Sequence, residues 1–136
     1  MKASFITLEG GEGAGKSSQM ARISAWLEDH GHRVVRTREP GGTPLAEIVR
    51  DLVLHGGHKE MTAMTELLLV FAARAQHVDE LIRPSLRDGH TVLCDRFTDA
   101  SFAYQGGGRG LPAKAIETLE HLVQSDLKPD LTILLD

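Results

Sequence analysis

Near the start of the chain, glycines, a lysine and a serine stand at the spacing of a phosphate-binding loop. Residues 10–17 read GGEGAGKS and match the pattern G-x-x-x-x-G-K-[ST] in full. Glycines let backbone N–H groups approach phosphate oxygens, and a helix that begins there adds partial positive charge. Lys16 can then reach the β- and γ-phosphates, and the Ser17 hydroxyl is placed to ligate Mg²⁺. We therefore predict an ATP and Mg²⁺ site formed by Gly10, Gly11, Glu12, Gly13, Ala14, Gly15, Lys16, Ser17 and Ser18.

Two charged residues follow a second apolar run. Residues 91–95 read as a strand, and Asp95 and Arg96 come at its carboxyl end, where open α/β sheets bind ligands. Asp95 is suited to hold Mg²⁺ or its water shell, and Arg96 to neutralise charge on the phosphates being transferred. The alternative is an ion pair at the end of a strand. Cys94 reads as a small buried residue rather than a nucleophile.

Other residues of the chain are suited to bind the molecule that accepts the transferred phosphate. Arg38 and Glu39 follow another predicted strand, where the arginine can fork onto a phosphate and Glu39 can orient it or lie near the metal. A surface ion pair is the alternative. Phe71 and Arg74 are three residues apart on a predicted helix and so share a face. The Phe71 ring can stack on a nucleotide base, and the Arg74 guanidinium can donate hydrogen bonds to the carbonyl edge of that base. The alternative is that Phe71 is only a residue of the hydrophobic core.

The remaining pattern supplies the elements that must position these residues. Strands are predicted at residues 5–8, 33–37, 91–95 and 131–135. Helices are predicted from Lys16 to about His30, from Pro44 with Thr43 as its cap, from Ala63 towards Leu81 with a kink or end at Pro84, and from Pro112. This alternation predicts an α/β fold, a parallel sheet with helices on both faces. Residues 1–136 read as one domain, and a chain that stops on a strand indicates a piece of a longer protein.

Composition excludes several kinds of partner. The formal net charge of -4 offers no basic face for nucleic acid. The apolar stretch after Met1 is too short for a signal peptide or a membrane span. One cysteine cannot form an internal disulfide and fits a reducing cytosol. We therefore expect a cytoplasmic protein that binds neither nucleic acid nor membrane.

Four segments, in order and at approximate spacing, resemble bacterial thymidylate kinases, which are P-loop nucleoside monophosphate kinases. They are EGGEGAGKS at 9–17, TREPGGT at 37–43, FAARAQH at 71–77, and DRF at 95–97 running on to AYQG at 103–106. The resemblance covers essentially the whole chain. It implies the P-loop NTPase fold, incomplete at the C-terminus, and transfer of the γ-phosphate of ATP to dTMP, giving dTDP for dTTP synthesis. It also implies a homodimer built on the long helices.

The resemblance assigns roles to residues at the matching positions. It places Arg96 on the monophosphate of the acceptor, Gln105 on the edge of the base, and Tyr104 against the deoxyribose, where a ring can exclude a 2′-OH. Ser101 adds a hydroxyl to the same pocket. With the residues above, it gives a catalytic set of Lys16, Arg96, Glu12 and Asp95, and an acceptor set of Arg38, Glu39, Phe71, Arg74, Arg96, Ser101, Tyr104 and Gln105.

The acidic residue at position 12 indicates which of two kinds of thymidylate kinase the chain resembles. Some thymidylate kinases carry an arginine in the phosphate loop, whereas others have a non-basic residue there and take catalytic arginines from a mobile lid. Glu12 makes this chain similar to the second kind. In that family the lid and the segment that holds adenine follow the strand that ends here at Asp136. The 136 residues are therefore expected to bind nucleotides and to transfer phosphate poorly or not at all.

Two other functions stay open at this point. A P-loop binding or regulatory ATPase would use water as the acceptor and ignore nucleoside monophosphates, but an arginine at position 96 has no purpose with a water nucleophile. A kinase for another pyrimidine monophosphate, such as dUMP, is the other alternative. Phe71, Arg74 and Gln105 argue against purines without excluding dUMP.

Overall fold

The computed structural model describes residues 2–10, 15–55, 61–97 and 110–135. Its strands are β1 (Phe5–Glu9), β2 (Arg33–Arg38), β3 (His90–Asp95) and β4 (Leu131–Leu134). Its helices are α1 (Lys16–Asp29), α2 (Pro44–His55), α3 (Ala63–His77), α4 (Arg83–Arg87) and α5 (Ala113–Gln124), and a π-helical turn (Val78–Ile82) joins α3 to α4. No helix in the described ranges is long and apolar enough to cross a membrane.

The four strands form one parallel sheet in the order β2-β3-β1-β4. The predicted parallel sheet is thereby confirmed. In its register Leu8 lies opposite Asp95 on one side, and Arg38 lies opposite Asp95 on the other. Because parallel strands all point the same way, the carboxyl ends of β1, β2 and β3 meet at one edge. That edge carries Glu9, Arg38 and Asp95.

Both faces of the sheet are covered, as predicted, because successive residues of a strand point to opposite sides. Phe5 of β1 packs on one face, in a buried cluster with Val78, Ile82, Val92, Cys94 and Phe97. Ile6 and Leu8 pack on the other face, in a cluster with Met20, Leu27 and Leu93. A third cluster of Leu67, Phe71 and Ile116 joins α3 to α5. The sheet is therefore held between α1 and the segment that runs from α3 to α4.

The helix ends follow the predicted signals with one difference. The Thr43 hydroxyl accepts from the Ala46 N–H at 3.2 Å, so it caps α2 as predicted. The long helical pattern towards Leu81 is divided, because α3 ends at His77 and a π-helical turn follows. Pro84 lies in the first turn of α4. Proline is tolerated there because the first N–H groups of a helix have no partner within it.

Candidate active site

The phosphate loop enters α1 through a glycine. Gly15 has a positive φ of 77°, a conformation that glycine adopts without steric cost, and α1 begins directly after it at Lys16. Ser17 and Ser18 lie exposed in the first turn of this helix. The predicted residues Gly11, Glu12, Gly13 and Ala14 lie outside the described residues. The described part of the loop therefore places Lys16 and Ser17 at the positive end of a helix.

Lys16 meets Asp95 at the edge of the sheet. The Lys16 ammonium lies 2.9 Å from Asp95 Oδ1, and the Lys16 side chain is largely buried. This contact is an ion pair without hydrogen-bond geometry, since Asp95 Oδ1 is buried and accepts no hydrogen bond from the described residues. A carboxylate oxygen in this state, beside the exposed hydroxyl of Ser17, suits a hard cation such as Mg²⁺, which prefers oxygen ligands.

Arg96 has a strained backbone that its neighbours hold in place. Its φ is 70°, in the left-handed region, which costs a non-glycine residue about 1–3 kcal/mol. The Arg96 N–H donates to Leu8 O at 2.8 Å, and the Phe97 N–H donates to Glu9 Oε2 at 2.8 Å. These bonds fasten the turn after β3 to β1. Strain that surrounding bonds enforce in this way is typical of functional sites.

Glu9 is a buried acidic residue at the end of an apolar strand, a position that the sequence pattern could have marked as part of the site. A carboxylate within an apolar strand must find a buried partner or leave the core. Glu9 is buried, and its partner is the backbone of Phe97.

Arg38 is paired with Glu47 on the surface. Arg38 Nη2 lies 2.5 Å from Glu47 Oε1 and Arg38 Nε lies 3.2 Å from Glu47 Oε2, a bidentate contact. Glu47 Oε2 also accepts from the Gly42 N–H at 2.8 Å. The hydrogen bond from Arg38 lowers the pKa of Glu47 from 4.5 to about 2, and the same bond raises the pKa of Arg38.

The expectation that Glu39 orients Arg38 is wrong. Glu39 is buried, and its carboxylate contacts Arg74 and His77. The physical reason is the alternation of an extended segment, which sends neighbouring side chains to opposite sides. Arg38 therefore faces solvent and Glu47, while Glu39 points into the protein beneath α3.

Arg74 connects three parts of the site. It is 1% exposed, its Nε donates to Glu39 Oε1 at 2.7 Å, its Nη1 to Gln124 Oε1 at 3.1 Å and its Nη2 to Phe97 O at 3.2 Å. The loop after β2, the end of α5 and the turn after β3 are thus tied to one guanidinium. Because Phe97 follows Arg96 directly, Arg74 also helps to hold the strained turn.

Phe71 shares a face with Arg74, as the three-residue spacing predicted. The Arg74 guanidinium lies 4.9 Å from the Phe71 ring centroid and 4.7 Å from that of Phe97. Phe71 is itself buried, in contact with Leu67 and Ile116. Its side chain is thus a core residue and a partner of Arg74, as the alternative interpretation held, and a contact with a base stays a prediction.

His77 is the residue that sequence reasoning missed most clearly. It is fully buried, its Nδ1 contacts Glu39 Oε2, and its Nε2 lies 2.6 Å from Thr37 Oγ1. It lies three residues after Arg74 on α3, so the spacing alone could have placed both side chains on one face.

The remaining predicted residues are not placed. Ser101, Tyr104 and Gln105 lie outside the described residues. The described part of the site therefore brings together Lys16, Asp95 and Arg96 at the sheet edge, and Glu39 and Arg74 beneath it.

Comparisons with known proteins agree with one another. A family model described as "Thymidylate kinase" matches residues 8–136. The thymidylate kinase of Pseudomonas putida strain F1 is 62% identical over 136 residues, which are 100% of this chain and 65% of that protein. The thymidylate kinase of Pseudomonas savastanoi pv. phaseolicola is 60% identical over the same shares. A crystal structure of thymidylate kinase from Ehrlichia chaffeensis is 40% identical with a TM-score of 0.91, over 100% of this chain and 72% of that one. The chain thus spans 65% of the length of these curated relatives.

Proposed function

The chain belongs to the thymidylate kinase family, and on that premise we propose that it carries the phosphate and acceptor sites of an enzyme that transfers the γ-phosphate of ATP to dTMP. The product is dTDP, for dTTP synthesis. The observation that carries the proposal is the meeting of Lys16 with Asp95 at 2.9 Å, directly before the strained Arg96. A phosphate loop alone would serve any nucleotide hydrolase, whereas an arginine fixed beside it suits an anionic acceptor.

The proposed reaction is an in-line displacement. An oxygen of the dTMP phosphate forms a bond to the γ-phosphorus while the bond from that phosphorus to the β,γ-bridging oxygen breaks, and ADP leaves. The acceptor is already an anion, so the step needs positioning and charge neutralisation rather than a strong base. Lys16 would bind the β- and γ-phosphates, and Arg96 the acceptor phosphate. Mg²⁺, which Asp95 and Ser17 would hold, supplies further neutralisation of phosphate charge.

The acceptor pocket in this proposal is assembled around Arg74 and Arg96. Arg74 would bond the carbonyl edge of the pyrimidine, and its bond to Phe97 O at 3.2 Å connects it to the turn that presents Arg96. Base recognition and phosphate recognition would then share one rigid support. Phe71 would line the base, Arg38 would approach the acceptor phosphate, and Ser101, Tyr104, Gln105 and Glu12 keep the roles that the resemblance implies.

We also propose that the protein forms a homodimer and works in the cytoplasm. Helices α2 and α3 expose large apolar side chains, Leu45, Ile48, Leu52, Met64 and Leu68. Apolar residues concentrated on one pair of helices favour a protein–protein contact, which supports a homodimer built on these helices. A free thiol at Cys94 fits the reducing cytosol. Residues 1–136 would form one nucleoside monophosphate kinase core.

Thermal unfolding with added nucleotides tests the proposal. The protein is melted alone and with dTMP, dUMP, dCMP, AMP or GMP. A ligand at 100 times its dissociation constant adds about 2.7 kcal/mol of stability. We expect the largest stabilisation from dTMP. The variant Arg96→Met should lose it, whereas the matched control Arg22→Met, which alters an exposed arginine of α1, should keep it.

Each other outcome favours a different function. Equal stabilisation by dUMP would indicate a less selective pyrimidine monophosphate kinase. A cooperative transition that ignores every monophosphate would overturn the proposal, and ATP turnover by water would then indicate a regulatory ATPase.

A further inference from the structure

Beneath the acceptor site, four polar side chains form one continuous buried chain. Thr37 contacts His77 at 2.6 Å, His77 contacts Glu39, and Glu39 accepts from Arg74 at 2.7 Å. The side chains come from β2, from the loop that follows it and from α3. Glu39 and Arg74 are each less than 5% exposed, and His77 is fully buried.

The chemistry of these four side chains determines which group donates each hydrogen bond and which group accepts it. An arginine is always charged in proteins, so its partner Glu39 is present as a carboxylate, which can only accept hydrogen bonds. His77 must therefore carry a proton on Nδ1 and donate it to Glu39 Oε2. The Thr37 hydroxyl satisfies Nε2 in either protonation state of the ring. Both oxygens of Glu39 are thus engaged, one by Arg74 and the other by His77, and the carboxylate cannot turn without losing a bond.

A glycine turn holds the His77 ring from the other side. Gly42 has a φ of 95°, and a Cβ added there would lie 2.2 Å from His77 Nε2 and 2.5 Å from Thr37 Oγ1. The backbone of the turn therefore packs directly on the imidazole. With Thr37 on one nitrogen, Glu39 on the other and this backbone against its edge, the ring is fixed in one orientation.

A contribution to stability does not by itself explain why four linked polar side chains are buried here. Replacing buried charged pairs by well-packed apolar side chains is often neutral or stabilising. The four linked side chains instead fix an orientation. Because Glu39 holds Nε of Arg74, the planar guanidinium has one defined plane, in which its remaining N–H groups lie. In Arg74 that plane also reaches Phe97 O, one residue after Arg96.

We propose that His77 is a positioning residue of the acceptor site. By donating from Nδ1 it fixes the Glu39 carboxylate, and Glu39 in turn fixes the plane in which Arg74 meets a pyrimidine base. This inference rests on the proposed function, in which Arg74 binds the base of the nucleoside monophosphate. It assigns Glu39 to the support of Arg74 and removes it from direct contact with substrate.

Two isosteric substitutions separate positioning from mere packing. Asparagine places an amide N–H close to the position of Nδ1, whereas glutamine places one close to Nε2. His77→Asn therefore keeps the donor to Glu39 and loses the bond to Thr37, and His77→Gln does the reverse. Dissociation constants for dTMP and for ATP are measured by calorimetry on the purified protein, together with the melting temperature without ligand.

We expect the two variants to differ in dTMP binding only. His77→Asn should bind dTMP within about threefold of the unmodified protein, and His77→Gln about tenfold more weakly, the loss of one charge-assisted hydrogen bond. ATP binding should be unchanged within about twofold in both, because the Lys16–Asp95 ion pair of the ATP site is joined to Arg74 indirectly, through the backbone that leads from Asp95 to Phe97. Equal dTMP affinity of the two variants would overturn the inference. So would affinities that simply follow the melting temperature, or an equal loss for ATP.

A second pair of variants covers the case in which position 77 tolerates no change. Thr37→Val removes the outer bond and should leave dTMP affinity within about threefold, while Glu39→Gln removes the charge at the centre and should weaken it about tenfold. Equal affinities in this pair would also overturn the inference. If the unmodified protein itself ignores dTMP, it is the proposed function that fails.

Discussion

Replacing the Glu39 carboxylate by an apolar group should destabilise the fold strongly. Glu39 and Arg74 have side chains that are 3% and 1% exposed and lie 2.7 Å apart. In the variant Glu39→Leu the buried guanidinium loses the carboxylate that lies against its Nε. Removing one partner of a buried pair costs about 3–5 kcal/mol, mainly because a charge is left uncompensated. For a domain whose free energy of unfolding is about 5–15 kcal/mol, such a loss is a large share.

Removing both partners should cost much less than the sum of the single changes. In the double variant Glu39→Leu/Arg74→Met no buried charge is left uncompensated between the two positions. A buried pair replaced by apolar groups of similar volume is often neutral in stability. The single variants should therefore be non-additive, with a coupling energy of about 2–3 kcal/mol in the double-mutant cycle.

The surface pair Arg38–Glu47 provides a matched control. Its atoms lie 2.5 Å apart, but its side chains are 48% and 39% exposed. An exposed pair contributes about 0–1 kcal/mol and the hydrogen bond from the Gly42 N–H to Glu47 about 1 kcal/mol, so Glu47→Leu should lose no more than about 2 kcal/mol. Urea unfolding at neutral pH measures the free energy of unfolding of Glu39→Leu, Arg74→Met, the double variant and Glu47→Leu. Its slope against urea concentration should be the same in each. The reasoning is refuted if Glu39→Leu loses less than about 1 kcal/mol, or if it loses no more than Glu47→Leu.

Two further predictions concern individual ionisable groups. Because Arg38 lowers the pKa of Glu47 from 4.5 to about 2, the stability that this pair contributes is complete above pH 4.5 and is lost as the pH falls through about 2. Denaturant unfolding at a series of pH values should thus show Glu47→Gln less stable than the unmodified protein at pH 6, by under about 1 kcal/mol since the pair is exposed, with the difference shrinking towards pH 2; a constant difference would contradict this origin. Burial raises the pKa of Cys94 well above its ordinary value, so the native protein should react with a thiol reagent orders of magnitude more slowly than the unfolded protein, and equal rates would show that the thiol is accessible.

The features that could be predicted from the sequence are those that depend on a local pattern of residues. Strand and helix signals predicted the parallel sheet, and the position of Asp95 after an apolar run placed it at the carboxyl edge of that sheet. These inferences succeed because hydrophobic periodicity and chain direction suffice to derive them. The cap at Thr43 succeeded for the same reason, since its bond spans only three residues.

The partners of buried polar groups could not be predicted in this way. Arg74 bonds Glu39 across 35 residues and Gln124 across 50, distances that no local pattern encodes. The assignment of Glu39 to Arg38 failed because adjacency in the chain was taken for adjacency in space. The π-helical turn at Val78–Ile82 also left no signal, since one extra residue in a turn changes little in the apolar pattern.

The position of β1 at the centre of the sheet has a consequence for the order in which the protein is made. This strand leaves the ribosome well before its neighbours in the sheet, because Ser4, directly before it, bonds Thr91 across 87 residues and Thr7 bonds Thr132 across 125. At about 5–20 residues per second, translation needs on the order of 10 s to deliver the later partner. Until then an apolar strand waits unpaired, and pairings over such separations form slowly because a long loop must close first. The strand that leads into the phosphate loop is therefore synthesised long before its two neighbours in the sheet and is fixed only after both have been made.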